Sequence, residues 1–202
     1  MEERILNKAS EQFFSFGLRS VTMDELAREM GVSKKTLYRH FADKDQIVER
    51  VIARLLNDHK QEIGCCRDAA TDAVHEVALQ LEVILKIFFG IKPGFFNEVQ
   101  KYFPEIWCNV MSHEKEALLD GIRQNLEHGV STGLYRPEID ITITSLFRLN
   151  QLRSLFTPSL YEVSYIEVKE LACKLTDLYL NAITTVKGKQ LINDYSILQL
   201  QQ

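Results

Sequence analysis

The sequence predicts an all-α chain of about nine helices. Three observations carry that expectation. Apolar residues recur at three- and four-residue spacing over most of the chain, the period of a helix with one buried face. Helix-starting pairs, Thr22 with Glu25 and Asp43 with Gln46, stand just ahead of such stripes. All four prolines (Pro93, Pro104, Pro137, Pro158) fall at stripe edges, and no Asn-Gly or Asp-Gly hairpin turn, internal repeat or low-complexity tract intervenes.

Ile5, Leu6, Ala9, Phe13 and Phe16 place a first helix at about 3–16, stopped by Gly17. In "TMDELAREMG", Thr22 and Glu25 form a capping box, Leu26, Ala27 and Met30 face inward, and Gly31 ends the helix. After Val32 alone, Ser33 can cap a third helix over 34–41, with Leu37 and Phe41 as its inward residues. Asp43 and Gln46 open a fourth helix to about 63, burying Ile47, Val48, Val51, Ile52 and Leu55; "GCCRDAATD" then reads as a break. Further helices are expected at about 69–90, 94–103, 105–132, 138–157 and 162–187, parted by "GIKPGFF", "STGLYRPE" and "FTPSLY". The tail "KGKQLINDYSILQLQQ" suits either a frayed end or a segment packed on a partner. The expected domains are 1–46, a three-helix helix-turn-helix unit, and 47–188, a larger helical unit, followed by a tail over 189–202.

Composition bounds the classes. With 202 residues, 46% apolar and 26% charged, the chain reads as an ordinary globular protein with length for a sizeable core. No apolar run reaches the roughly 18 residues of a membrane span. The start, MEERILNKAS, lacks the basic and apolar regions of a secretory signal. Cys65, Cys66, Cys108 and Cys173 are few and irregularly spaced for a disulfide framework, so a reducing cytoplasm is the expected location. The net charge is -4, unevenly spread: residues 1–60 hold 11 Lys+Arg against 10 Asp+Glu, and the remainder 13 against 18. A localised basic face is still enough to meet a polyanion.

Such a face lies in "SKKTLYRHFADK", residues 33–44. Two short helices crossing steeply need a small residue at their approach and a turn residue that tolerates the left-handed region; Ala27 and Gly31 supply these. With Leu37 and Phe41 inward, the opposite side of the third helix presents Lys34, Lys35, Thr36, Tyr38 and Arg39. Lysine can donate to guanine O6 and N7, and the first residues of a recognition helix meet base edges in the major groove. Thr22 and Lys44 stand at helix starts, where free N–H groups favour phosphate. A solvated helix face with scattered lysines is the plain alternative. The joint occurrence of cap, Ala/Gly spacing, outward Tyr and flanking lysines favours double-stranded DNA.

The stretch "TMDELAREMGVSKKTLYRHFADKDQIVERVI" resembles the N-terminal DNA-binding domain of the TetR family of bacterial transcriptional regulators, over about residues 3–55. The resemblance implies that Thr22 contacts phosphate, that Lys34, Lys35 and Tyr38 face the groove, and that His40 and Lys44 bind the DNA backbone, with Arg39 at a more variable position. The candidate DNA-contacting residues are thus Thr22, Ser33, Lys34, Lys35, Thr36, Tyr38, His40 and Lys44. The resemblance also implies a C-terminal domain that binds a small effector and forms a two-fold dimer, and repression as the usual mode.

The larger part offers candidates for both roles. Ile143, Leu146, Leu149, Leu152 and Phe156 make one stripe, and Ile166, Leu171, Leu175, Leu178, Ala182 and Val186 another, widened by Ala172, Tyr179 and Ile183. Intrachain core explains part of each stripe, and the excess width favours a homodimer interface over Leu149, Leu152, Phe156, Leu171, Leu175, Leu178 and Ala182. Phe89, Phe96, Tyr102, Trp107, Phe147 and Asn150 are the candidate pocket lining, where core packing is the competing reading. Arg148 lies in the same apolar helix as Asn150 and needs a partner if buried.

Enzymatic readings find no support. His75-Glu76 and His113-Glu114 lack the second histidine of a zinc-protease helix, and no nucleophile elbow, P-loop or dinucleotide fingerprint is present. No catalytic residue, metal site or cofactor is expected; Cys65-Cys66 as a redox or metal sensor ranks below structural cysteines. The expectation is a non-enzymatic, ligand-responsive regulator that grips a palindromic operator as a dimer, without a membrane partner. The alternative is a helical carrier or interaction module that no longer binds DNA.

Overall fold

The computed structural model describes residues 1–92, 94–155 and 165–195, with side chains at all of these except 88, 113–117 and 165–168. Ten helices are described: α1 (Glu2–Phe16), α2 (Met23–Met30), α3 (Lys34–Tyr38), α4 (Lys44–Ala69), α5 (Ala73–Gly90), α6 (Phe95–Tyr102), α7 (Pro104–Ser131), α8 (Ile141–Leu155), α9 (Tyr165–Ile183) and α10 (Val186–Asp194). The all-α expectation holds, and the count differs from about nine because the end of the chain carries an extra helix.

The local signals act as their chemistry requires. The Thr22 hydroxyl accepts the Glu25 N–H at 3.2 Å, and a Glu25 carboxylate oxygen accepts the Thr22 N–H at 2.7 Å. Gly31 closes α2 at φ 65, a left-handed position that an L side chain rarely adopts. Ser33 caps α3 by accepting the Thr36 N–H at 3.1 Å. At the start of α4 the Asp43 carboxylate accepts the Gln46 N–H at 2.9 Å, while the Gln46 amide reaches back to the Ala42 N–H at 3.0 Å.

Several boundaries depart from the sequence reading. The regular helix α3 ends at Tyr38 rather than 41, and turns bonded to the Leu37 carbonyl carry the chain to a buried Phe41. Helix α4 does not break at Gly64 but continues to Ala69: Cys66 is buried, and Arg67 donates to the Gly121 carbonyl and to Gln124. The break falls at 70–72, where the Asp72 carboxylate caps α5 through the N–H groups of Val74 and His75. The helix expected over 162–187 ends at Ile183. Thr184 pairs with Tyr135, the Arg136 N–H donates to the Ile183 carbonyl at 2.8 Å, and the Thr185 N–H to the Leu134 carbonyl at 2.9 Å. Thr185 then caps α10. Residues 162–164 of that expected helix lie outside the described residues, as do 156–157 of the helix before it.

The chain divides into two compact units: Met1–Asp58 with Ile87–His113, and His59–Lys86 with Glu114–Gln202. The first centres on Ile5, Phe13, Leu26, Leu37, Ile47 and Ile52, all at 1% exposure or less, joined by Phe95, Val99 and Val110. The N-terminal helices therefore share one core with the first turns of α4 and with α6.

The second unit buries a polar network. Tyr135, fully buried, donates its hydroxyl to the Ala73 carbonyl at 2.9 Å and bonds the Asn125 side-chain oxygen at 3.0 Å. The Asn125 amide donates to Glu76 at 2.8 Å, and Arg67 lies 3.5 Å from the same carboxylate. Between α8 and α9, the buried Arg148 donates to Thr176 and Gln151, with its guanidinium 4.7 Å above the Tyr179 ring. Burial lowers the Arg148 pKa to about 10 and raises that of Tyr179 to about 12.

Candidate nucleic-acid interface

Two short helices and a tight turn build the candidate interface. Leu26, Ala27 and Met30 of α2 and Leu37 of α3 are buried, so the two helices meet along that side. The opposite side of α3 faces out: Lys34, Lys35 and Arg39 are exposed, Tyr38 is 46% exposed, and Thr36 is half-buried. With Leu37 held inward, the cationic side chains of this short helix stand in solvent.

Each side chain has its own local state. The Lys34 ammonium pairs with both Asp24 oxygens, at 2.8 and 2.9 Å, and this hydrogen bond raises its pKa. The pair is exposed and screened by water, so a phosphate or base edge can displace the carboxylate. Ser33 and Thr36 hydroxyls lie 2.8 Å apart. The Thr22 hydroxyl also donates to Glu25 at 2.9 Å; the hydrogen bonds from Thr22 hold the Glu25 pKa down. His40 is half-buried, 3.7 Å from a Glu2 carboxylate oxygen. Lys44 turns inward: its ammonium donates to the Leu18 carbonyl and lies 5.8 Å from the Phe13 ring, and burial lowers its pKa. Ser33, Lys34, Lys35, Thr36 and Tyr38 stand on or beside α3 and Thr22 at the start of α2, while the Lys44 tip is engaged within the protein.

Residues 5–51 match the family described as bacterial regulatory proteins, tetR family. The chain is 30% identical over 152 residues to the HTH-type transcriptional regulator UidR of Escherichia coli K12, covering 73% of this chain and 75% of that one. It is 30% identical over 117 residues to the uncharacterized HTH-type transcriptional regulator YvaF of Bacillus subtilis, spanning 57% of this chain and 61% of YvaF. A crystal structure of a transcriptional regulator from Cytophaga hutchinsonii superposes with a TM-score of 0.76 at 21% identity, over 91% of this chain and 98% of that one. The helix-turn-helix and these likenesses define a DNA-binding transcriptional regulator. The chain belongs to the tetR family of bacterial regulatory proteins.

The remaining candidates fall into both units. Phe96 and Trp107 pack partly buried against the first unit's core, whereas Phe89 and Tyr102 are 57% and 40% exposed. Phe147 is 58% exposed, and Asn150, also exposed, donates to the Leu146 carbonyl of its own helix. Leu149 and Leu152 are buried, Leu171 and Leu175 half-buried, and Leu178 and Ala182 exposed; Phe156 lies outside the described residues. Among the described residues, the large outward apolar side chains on α8 and α9 are Ile143, Leu146, Phe147 and Leu178. Sequence reasoning missed the Asp24 partner of Lys34, the buried Glu76–Asn125–Tyr135 network and the grip of α6 on the α1–α2 turn, because each joins residues with no shared local pattern.

No helix among the described residues is long and apolar enough to cross a membrane. Cys65 is exposed and Cys66 buried; burial first, then the Glu76 charge, raises the Cys66 thiol pKa.

Proposed function

We propose that the protein is a ligand-responsive repressor that binds a palindromic operator as a homodimer and is released by a small-molecule effector. The observation that carries this reading is the outward face of α3, where Lys34, Lys35 and Tyr38 stand exposed above a buried Leu37. A helix of this kind fits a major groove, and two copies read half-sites spaced about 34–36 Å apart. The dimer reading draws support from Ile143, Leu146, Phe147 and Leu178, large apolar side chains between 41% and 66% exposed on two adjacent helices. Repression accords with relatives such as the HTH-type transcriptional repressor KstR2 of Rhodococcus jostii, 24% identical over 161 residues; a small effector is what the family resemblance implies. The effector itself is unidentified, with Phe89, Phe96, Tyr102, Trp107, Phe147 and Asn150 as candidate contacts.

The mechanism is a two-state shift. Helix α4 runs unbroken from Lys44, beside the helix-turn-helix, to Ala69. An effector that prefers one setting of α4 changes the separation of the two recognition helices. Near-complete switching requires a difference in affinity of about 5.5 kcal/mol between the two states.

Selection of bound duplexes from a random pool tests function and spacing together. The expected product is a palindrome with half-sites one helical turn apart. Recovery of no enriched sequence would overturn the reading, leaving the carrier or interaction module.

A further inference from the structure

The turn that leads into the helix-turn-helix is held from a helix nearly eighty residues away. Residues 17–22 join α1 to α2 and end at the cap Thr22. Glu98, on α6, accepts the Arg19 backbone N–H at 3.0 Å. One helical turn further on, the Tyr102 hydroxyl accepts from the Arg19 guanidinium at 3.2 Å, which also lies 5.1 Å over the Tyr102 ring. Lys92, ahead of α6, donates its backbone N–H to the Phe14 carbonyl at 2.7 Å and its ammonium to the Phe16 carbonyl at 3.1 Å. From the other side, Lys44 donates to the Leu18 carbonyl.

Main-chain groups of residues 14, 16, 18 and 19 are thus all bonded from outside α1 and α2. Water can satisfy an exposed turn, and stopping α1 needs only Gly17. The Glu98 carboxylate also roofs that glycine: at φ +88, a Cβ on Gly17 would lie 2.7 Å from Glu98 Oε1. The restraint exceeds what the turn needs.

We propose that Glu98 is a positioning residue for operator binding: it ties the α1–α2 turn to α6, and so sets where α2 and the outward face of α3 stand. This rests on the DNA-binding reading above. The effect of Glu98 on operator affinity thus runs through its hydrogen bond to the Arg19 main chain.

Glu98→Ala and Glu98→Gln in the full chain test this, with a duplex selected from a random pool as probe and amide exchange of residues 18–22 measured without DNA. In Glu98→Ala, well below the unfolding temperature, operator binding is expected to weaken about tenfold, the loss of one charge-assisted hydrogen bond. The salt slope should not change, because no phosphate contact is removed. The Arg19 amide should exchange about tenfold faster, and Glu98→Gln, which keeps an acceptor, should recover most of both effects. Unchanged exchange at Arg19, unchanged affinity, or an equal loss in Glu98→Gln would each overturn the proposal. Should Glu98→Ala fail to fold, Tyr102→Phe removes only the side-chain acceptor of Arg19; about a threefold loss of affinity supports the tie, and none overturns it. A wild-type chain that binds no selected duplex sinks the DNA reading, and the exchange comparison still decides whether Glu98 holds the turn.

Discussion

Lys34 illustrates how one side chain can be legible in type and hidden in state. Its exposed place in the first turn of α3 follows from the cap at Ser33, but its ion pair with Asp24 depends on how α2 meets α3. Lys34→Ala should weaken operator binding, relax its sequence preference and lower the salt slope, with thermal unfolding nearly unchanged because the pair is exposed. An unaltered slope in anisotropy titrations would remove Lys34 from the interface. Tyr135 gives a second test. Burial foremost, then the Tyr179, Glu76 and Asp72 charges, raises its pKa well above the ordinary 10.0. A tyrosine raised in the folded state contributes stability that is complete below its unfolded pKa and lost above it. Stability should therefore fall as pH rises past about 10, more steeply in the wild type than in Tyr135→Phe. The variant should itself cost about 1–3 kcal/mol at neutral pH, since the Ala73 carbonyl and Asn125 lose a buried donor. Denaturant unfolding at neutral and alkaline pH checks both.

Helix ends separate local from distant causes. The boxes at Thr22–Glu25 and Asp43–Gln46 and the cap at Ser33 involve residues three apart, so spacing alone locates the starts of α2, α3 and α4. Gly64 was a poor stop signal because a helical glycine costs only about 1 kcal/mol, which the burial of Cys66 and the Arg67 bonds offset. Helix α7 holds a glycine of another kind. A Cβ on Gly129 would lie 2.1 Å from the Tyr135 ring, which is enclosed and cannot give way. Gly129→Ala should cost about 3 kcal/mol or more, read as a lowered denaturant midpoint. A midpoint within error of wild type would show that the ring can move.

For the molecule as a whole, the apolar face on α8 and α9 predicts the assembly state. Leu178 is 63% exposed, so Leu178→Glu removes little from the unit's own core. It should convert a dimer to monomers by light scattering while preserving helical circular dichroism, and it should lower operator affinity because a single half-site binds weakly. An unchanged mass would take α9 out of the interface. The stripes readable over 138–157 and 162–187 mixed inward and outward apolar residues, and periodicity cannot divide Leu149 and Leu152, which are buried, from Ile143 and Leu178, which are not.

Helix content, the capped recognition unit and the outward cationic face could be read from residue order, since each depends on neighbours within four positions. The end of α9 at Ile183, the inward turn of Lys44 and the grip of Glu98 on Arg19 could not. They arise where segments distant in sequence meet, and the hydrogen bonds that decide them leave no periodic trace along the chain.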